Sequence, residues 1–195
     1  MIKRQNKLKK IEMYGEEIFV DCRYSFVCEL ISEDYQEQAE LLDDIFDRAP
    51  KELLFNYIDR LLQDEDIFDD VAMIFFLGML LQNHGELIKA SNIITRMYKR
   101  KSSDLLAKCA FAHQLFFYGK IDEVPAIFNN DFNFTQVTIQ RTFPLPTIVH
   151  CLSIACDYYL IKKDVASFNK VLSYLFEVAP EHDATQRLLV LSNKK

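Results

Sequence analysis

Residues 71–119 read VAMIFFLGMLLQNHGELIKASNIITRMYKRKSSDLLAKCAFAHQLFFYG, and their spacing decides the fold. Gly85 and Gly119 lie 34 residues apart, each at the close of an apolar, helix-length segment. Around the first glycine stand Leu77-Gly78, Leu81, Ala90, Ile94 and Met97. Around the second stand Phe111-Ala112, Leu115, Val124 and Phe128. Working outward, apolar residues keep helical rather than alternating spacing, as in Leu53, Leu54, Tyr57, Ile58, Leu61 and Leu62. The pattern predicts helices over 13–31, 35–48, 51–63, 67–83, 86–101, 104–118, 121–129, 147–162, 164–178 and 181–192. Residues 1–10 read as a polar basic tail and 129–146 as a long loop. Within that loop, Phe132-Asn133-Phe134 and Val137-Thr138-Ile139 are the segments that could pair as extended chain.

A third unit follows the same order near the C-terminus: Leu152, Ala155-Cys156, Tyr159, Phe168, Leu172, Leu175 and Ala179-Pro180. With its period of 34, the pattern resembles the tetratricopeptide (TPR) repeat, most clearly over 70–102, 104–130 and 149–182. The resemblance implies an all-α fold of antiparallel helical hairpins stacked as a short solenoid, as one domain over 11–195. Helices 35–48 and 51–63 would form a more divergent hairpin, and 13–31 and 181–192 would cap the ends. Small residues such as Gly78, Ala112 and Cys156 would let the two helices of a hairpin approach, while the glycines relieve the turns.

Composition narrows the function. Half the residues are apolar and 27% are charged, enough for a core and against wholesale disorder. The longest apolar run, Val71 to Leu81, is shorter than the roughly 18 residues a membrane span needs. Glu12, Glu16 and Glu17 interrupt any apolar segment behind the basic start, against a signal peptide. Five cysteines without a CxxC pair read as buried, reduced thiols, and a cytoplasmic chain is expected. The net charge of −6 argues against nucleic acid as a partner. From Glu29 to Asp70, fifteen acids face only Arg48, Lys51 and Arg60, a local balance of −12. Such a segment steers partners with basic surfaces, or is simply a solvated face.

Catalytic signatures are missing. Glycines at 15, 78, 85 and 119 cannot make a phosphate-binding loop. The run Asp64-Glu65-Asp66-Ile67-Phe68-Asp69-Asp70 has Asp69 where a calcium loop needs glycine and Phe75 where it needs glutamate. Cys109, His113, His150 and Asp157 are the one polar grouping that an enzyme or small-ligand sensor could use. No enzyme activity, metal or cofactor is expected.

The TPR resemblance implies instead a concave groove that binds another polypeptide, either an apolar peptide or the apolar stripe of a helix. By its positions the groove residues are Ala72, Phe75, Met79, Gln82 and Asn83; Leu106, Cys109, His113, Phe116 and Phe117; and His150, Ser153, Asp157, Leu160 and Ile161. Phe75, Met79 and Cys109 stand where the family's carboxylate clamp has basic residues or asparagine, so an apolar groove is implied. The small acidic chain is loosely similar to bacterial TPR-type secretion chaperones, which implies a chaperone or adaptor. A toxin-neutralising immunity protein and a homo-oligomer joined through the same groove stay open as alternatives.

Overall fold

The computed structural model describes residues 8–46, 48–130, 132–137 and 141–192. The architecture is predominantly α-helical, with stacked helices and one small sheet. Two compact units account for the chain: a helical unit over Phe26–Gln114, and a sheet unit formed by Met1–Ser25 with Leu115–Lys195. Among the described residues, no helix is long and apolar enough to cross a membrane.

The helical unit begins with a 3-10 turn, Val27–Leu30, followed by α1 (Glu33–Phe46) and α2 (Lys51–Leu61). A second 3-10 turn, Glu65–Asp69, precedes α3 (Val71–Asn83), α4 (Leu87–Arg100) and the start of α5 (Leu105–Phe117). The expected helix 67–83 is therefore broken at Asp70. Its carboxylate accepts the Met73 N–H at 2.8 Å and the Ser32 N–H at 2.8 Å, so it starts α3 and ties down the chain before α1. Asp64 does the same for the 3-10 turn through the Asp66 N–H at 3.0 Å.

α3 is apolar on all sides and accordingly buried almost throughout. Its neighbours include α1 and α4, and Leu42, Leu54, Ile58, Ile74, Leu77, Leu81 and Met97 fill one core with it. Gly78 is required here for closeness: a Cβ on it would lie 2.9 Å from Ile94 Cδ1. Gly85 has a left-handed φ of 84° and closes α3, with its N–H on Gln82 O at 3.0 Å and the Glu86 N–H on Leu81 O at 2.8 Å.

The sheet unit departs most from expectation. Residues 13–31 are not a helix: β1 (Leu8–Met13) and β2 (Glu16–Asp21) form an antiparallel hairpin, and the 3-10 turn follows. Ile11, Met13, Ile18 and Val20 are its buried face, a period of two that the helical reading absorbed. Of the basic segment 1–10, residues 1–7 lie outside the described residues, and 8–10 belong to β1. The strand β3 (Thr142–Pro144) pairs parallel to β2, with Val20 opposite Phe143.

α5 ends on Gly119 with the hydrogen-bond pattern seen at Gly85. The helix expected over 121–129 is only a 3-10 turn and one helical turn, α6 (Val124–Ile127), so α5 is not followed by the full partner helix expected. Pro125 and left-handed Asn129 and Asn130 stop it. Phe134–Val137, expected in part as extended chain, is a helical turn, α7; Thr138 and Ile139 lie outside the described residues. Long α8 (Leu145–Lys162) packs antiparallel on α9 (Val165–Val178), and α10 (Asp183–Ser192) lies against both.

Candidate functional site

The groove residues divide between the two units. In the helical unit, Ala72 and Leu106 are buried and Phe75 is only 7% exposed, and all three belong to the core. Cys109 is fully buried. The reason is that α3 is packed into the core along most of its length, so several positions that would line an open groove are filled by the chain itself. Met79, Asn83 and His113 are exposed, and Gln82 is half-buried. In the sheet unit, Phe117 is 52% exposed, and Phe116, His150, Ser153, Asp157 and Leu160 are half-buried, with Ile161 exposed. Asp157 is held by Arg187 at 2.8 Å.

The Cys156 thiol is not a reactive sulfur. Burial pushes the Cys156 thiol up to about 12, with Asp157 adding to the effect, so it stays protonated and a poor nucleophile. Cys151 is buried too, whereas Cys22 is half-buried and Cys28 exposed, against the expectation of five buried thiols. No disulfide joins them. Among the described residues, no cluster of His, Cys, Asp and Glu has metal-binding geometry.

What the helical unit does present is charge, and its tertiary structure sorts the acidic segment into two classes. Asp59 pairs with Lys89, Glu65 with Arg96 and with Arg100 at 2.8 Å, and Asp69 with Lys101 at 3.0 Å. α4 and the residue after it supply all four bases. Arg96 also lies over the Phe68 ring, 3.9 Å from its centroid. The hydrogen bond from Arg96, with the charges of Arg96 and Arg100, holds the Glu65 carboxyl below its ordinary range. Asp64 accepts the Tyr35 hydroxyl at 2.7 Å. That phenol is shifted up by burial and by this carboxylate.

The second class is α1. Its acids Glu33, Asp34, Glu37, Glu40, Asp43 and Asp44 are all exposed, and none forms an ion pair among the described residues. Glu33, Glu37, Glu40 and Asp44 follow the i, i+4, i+7, i+11 spacing of one stripe, opposite buried Ala39 and Leu42. Leu41, 45% exposed, stands beside them. Like charges at i, i+4 oppose helix formation, and so do Asp43 and Asp44 in a last turn that carries no base. The stripe is thus kept against local preference by the apolar packing beneath it. Its signal was in the sequence: no lysine or arginine occurs from Glu29 to Asp47.

No protein-family model, curated protein or solved structure matches this chain.

Proposed function

We propose that this protein is a polypeptide-binding module that presents the acidic stripe of α1 to a basic segment of its partner. The observation that carries this reading is the set of six exposed α1 carboxylates left without a base among the described residues, while Asp59, Glu65 and Asp69 are matched by bases of α4 and Lys101. A basic partner relieves the repulsion along α1 and gains a field that speeds encounter. Leu41 adds an apolar contact within the charged surface. The hairpins α3–α4 and α8–α9, with Gly78 against Ile94, support a repeat-built scaffold of the TPR kind on which an adaptor or chaperone role rests. The partner is expected on α1 rather than across the apolar groove residues, because Ala72, Phe75, Leu106 and Cys109 are core.

The test is capture of partners from the cytosol of the cells that make the protein, comparing the wild type with Glu33→Gln, Glu37→Gln, Glu40→Gln and Asp44→Asn combined. A stoichiometric basic polypeptide that is held by the wild type, lost with the variant and released by raised salt is the expected result. Equal capture by the variant, or capture indifferent to salt, would overturn the reading.

A further inference from the structure

The sheet unit contains a cavity of about 540 Å³ in which the α1 stripe has no part. Its size is that of small-molecule sites. Tyr14 enters from the β1–β2 turn, Asn130 from the segment after α6, Tyr159 from α8, and Ser167, Lys170 and Tyr174 from α9. Three chain segments distant in sequence therefore converge on it.

Backbone conformation sets these walls. Tyr14 and Gly15, with φ of 54° and 78°, form a two-residue turn of the left-handed kind that closes twisted hairpins. A tyrosine is an uncommon choice for its first position, and here it places an aromatic ring against α9. The Tyr14 N–H donates to the Tyr174 hydroxyl at 3.3 Å, and the two ring centroids are 5.1 Å apart. The Lys170 ammonium lies 5.7 Å from the Tyr14 ring centroid, held over its π face. Asn130, with φ of 69°, belongs to a type that tolerates this region.

The electrostatics of the cavity are one-sided. Lys170 makes no ion pair among the described residues, and no described carboxylate lines the cavity. The Tyr174 oxygen accepts the Tyr14 N–H, which leaves its own proton to be donated elsewhere. The Tyr14 hydroxyl is buried and without a hydrogen-bond partner among the described residues; burial holds that phenol neutral, with neighbouring Cys151 adding to the effect. The described lining thus offers one positive charge, the directed Tyr174 O–H donor, neutral polar groups on Asn130, Asn133 and Ser167, and aromatic walls, with no negative charge.

From this arrangement we infer that the cavity binds a small monocarboxylic acid with a flat apolar body, its carboxylate on Lys170 and Tyr174 and its body against the rings of Tyr14 and Tyr159. One ammonium and one hydroxyl match a singly charged carboxylate. A phosphate dianion is typically held by an arginine fork or a run of backbone N–H groups, and no arginine is among the described lining.

Titration of the full chain, followed by amide NMR shifts, tests the inference with benzoate, phenylacetate and 3-phenylpropionate, each against its own amide, and with inorganic phosphate. At least one acid is expected to shift Gly15, Lys170 and Val171 saturably and to bind about tenfold or more tightly than its amide. Lys170→Gln should remove about that same factor for the acid and leave the amide unchanged. Tyr174→Phe should weaken the acid without lowering the melting temperature of the fold appreciably. Lys170 is exposed, so its variant folds and its result is interpretable. The inference fails if no acid binds saturably, if acid and amide bind alike, if Lys170→Gln leaves acid affinity intact, or if phosphate competes as well as the acids do.

Discussion

Asp59, Glu65 and Asp69 each meet a base of the α4 segment, whereas Glu33, Glu37, Glu40 and Asp44 meet none among the described residues. Both sets come from one acidic stretch and both are exposed, so composition treats them alike. The difference lies in which helix comes to rest beside them. α4 carries Lys89, Arg96 and Arg100, and its packing on α3 brings those bases to Asp59 and Glu65. An acidic count along a chain is therefore no measure of an acidic surface until the pairs are taken out.

The contrast can be broken at its support. Phe75→Glu puts a charge into the α3 core, and a loss of about 3–5 kcal/mol, enough to unfold the helical unit, is expected in denaturant titration. Unchanged stability would mean that Phe75 faces a groove after all. A subtler break is Gly78→Leu, which must push Ile94 and α4 away. A cost of about 1–3 kcal/mol is expected, together with weaker pairing of Arg96 and Arg100 to Glu65, visible as a rise in the Glu65 titration toward its ordinary value. Wild-type stability and an unmoved titration would show that α4 is not held by this approach.

Charge variants sharpen the contrast. Neutralising Glu33, Glu37, Glu40 and Asp44 together should raise stability by up to about 1 kcal/mol at low salt, since each like-charged pair costs about 0.2–0.5 kcal/mol. A melting temperature that falls instead would mean these acids have partners. The smallest effect belongs to Glu65→Gln, which should lower stability slightly, an effect screened by salt. Its pH dependence has a definite sign. The folded carboxyl is depressed from an ordinary value near 4.5, so the wild-type advantage over the variant is full above that value and is lost as pH falls through the folded one. An advantage that persisted in acid would contradict the ion pair.

Much of the helical pattern was readable because each amphipathic segment carries its own period. The 34-residue spacing of Gly85 and Gly119 placed two helix ends that share the same left-handed cap. A third such cap, at Lys163 with φ of 60°, has no glycine to announce it. The β1–β2 hairpin went unread because Glu12, Glu16 and Glu17 among apolar residues also suit a helix, and only Tyr14-Gly15 marks the turn. Of the candidate site, the α1 stripe was legible in its spacing and the absence of bases. The groove was not, since a resemblance assigns positions to a surface without knowing what the rest of the chain covers.

By itself the sequence determined what is local: most of the helical periods, the helix end at Gly85, the small residue at 78 and the acid-rich run. Tertiary structure alone decided what depends on contacts across the chain. It joined Val20 to Phe143, buried Phe75 rather than exposing it, and gave Asp59, Glu65 and Asp69 their bases while leaving the acids of α1 without. It also gathered Tyr14, Lys170 and Tyr174 around one cavity. The physical reason is range. Backbone propensity and side-chain period act over a few residues, whereas burial and charge pairing depend on which distant segments come into contact, and no single segment encodes that.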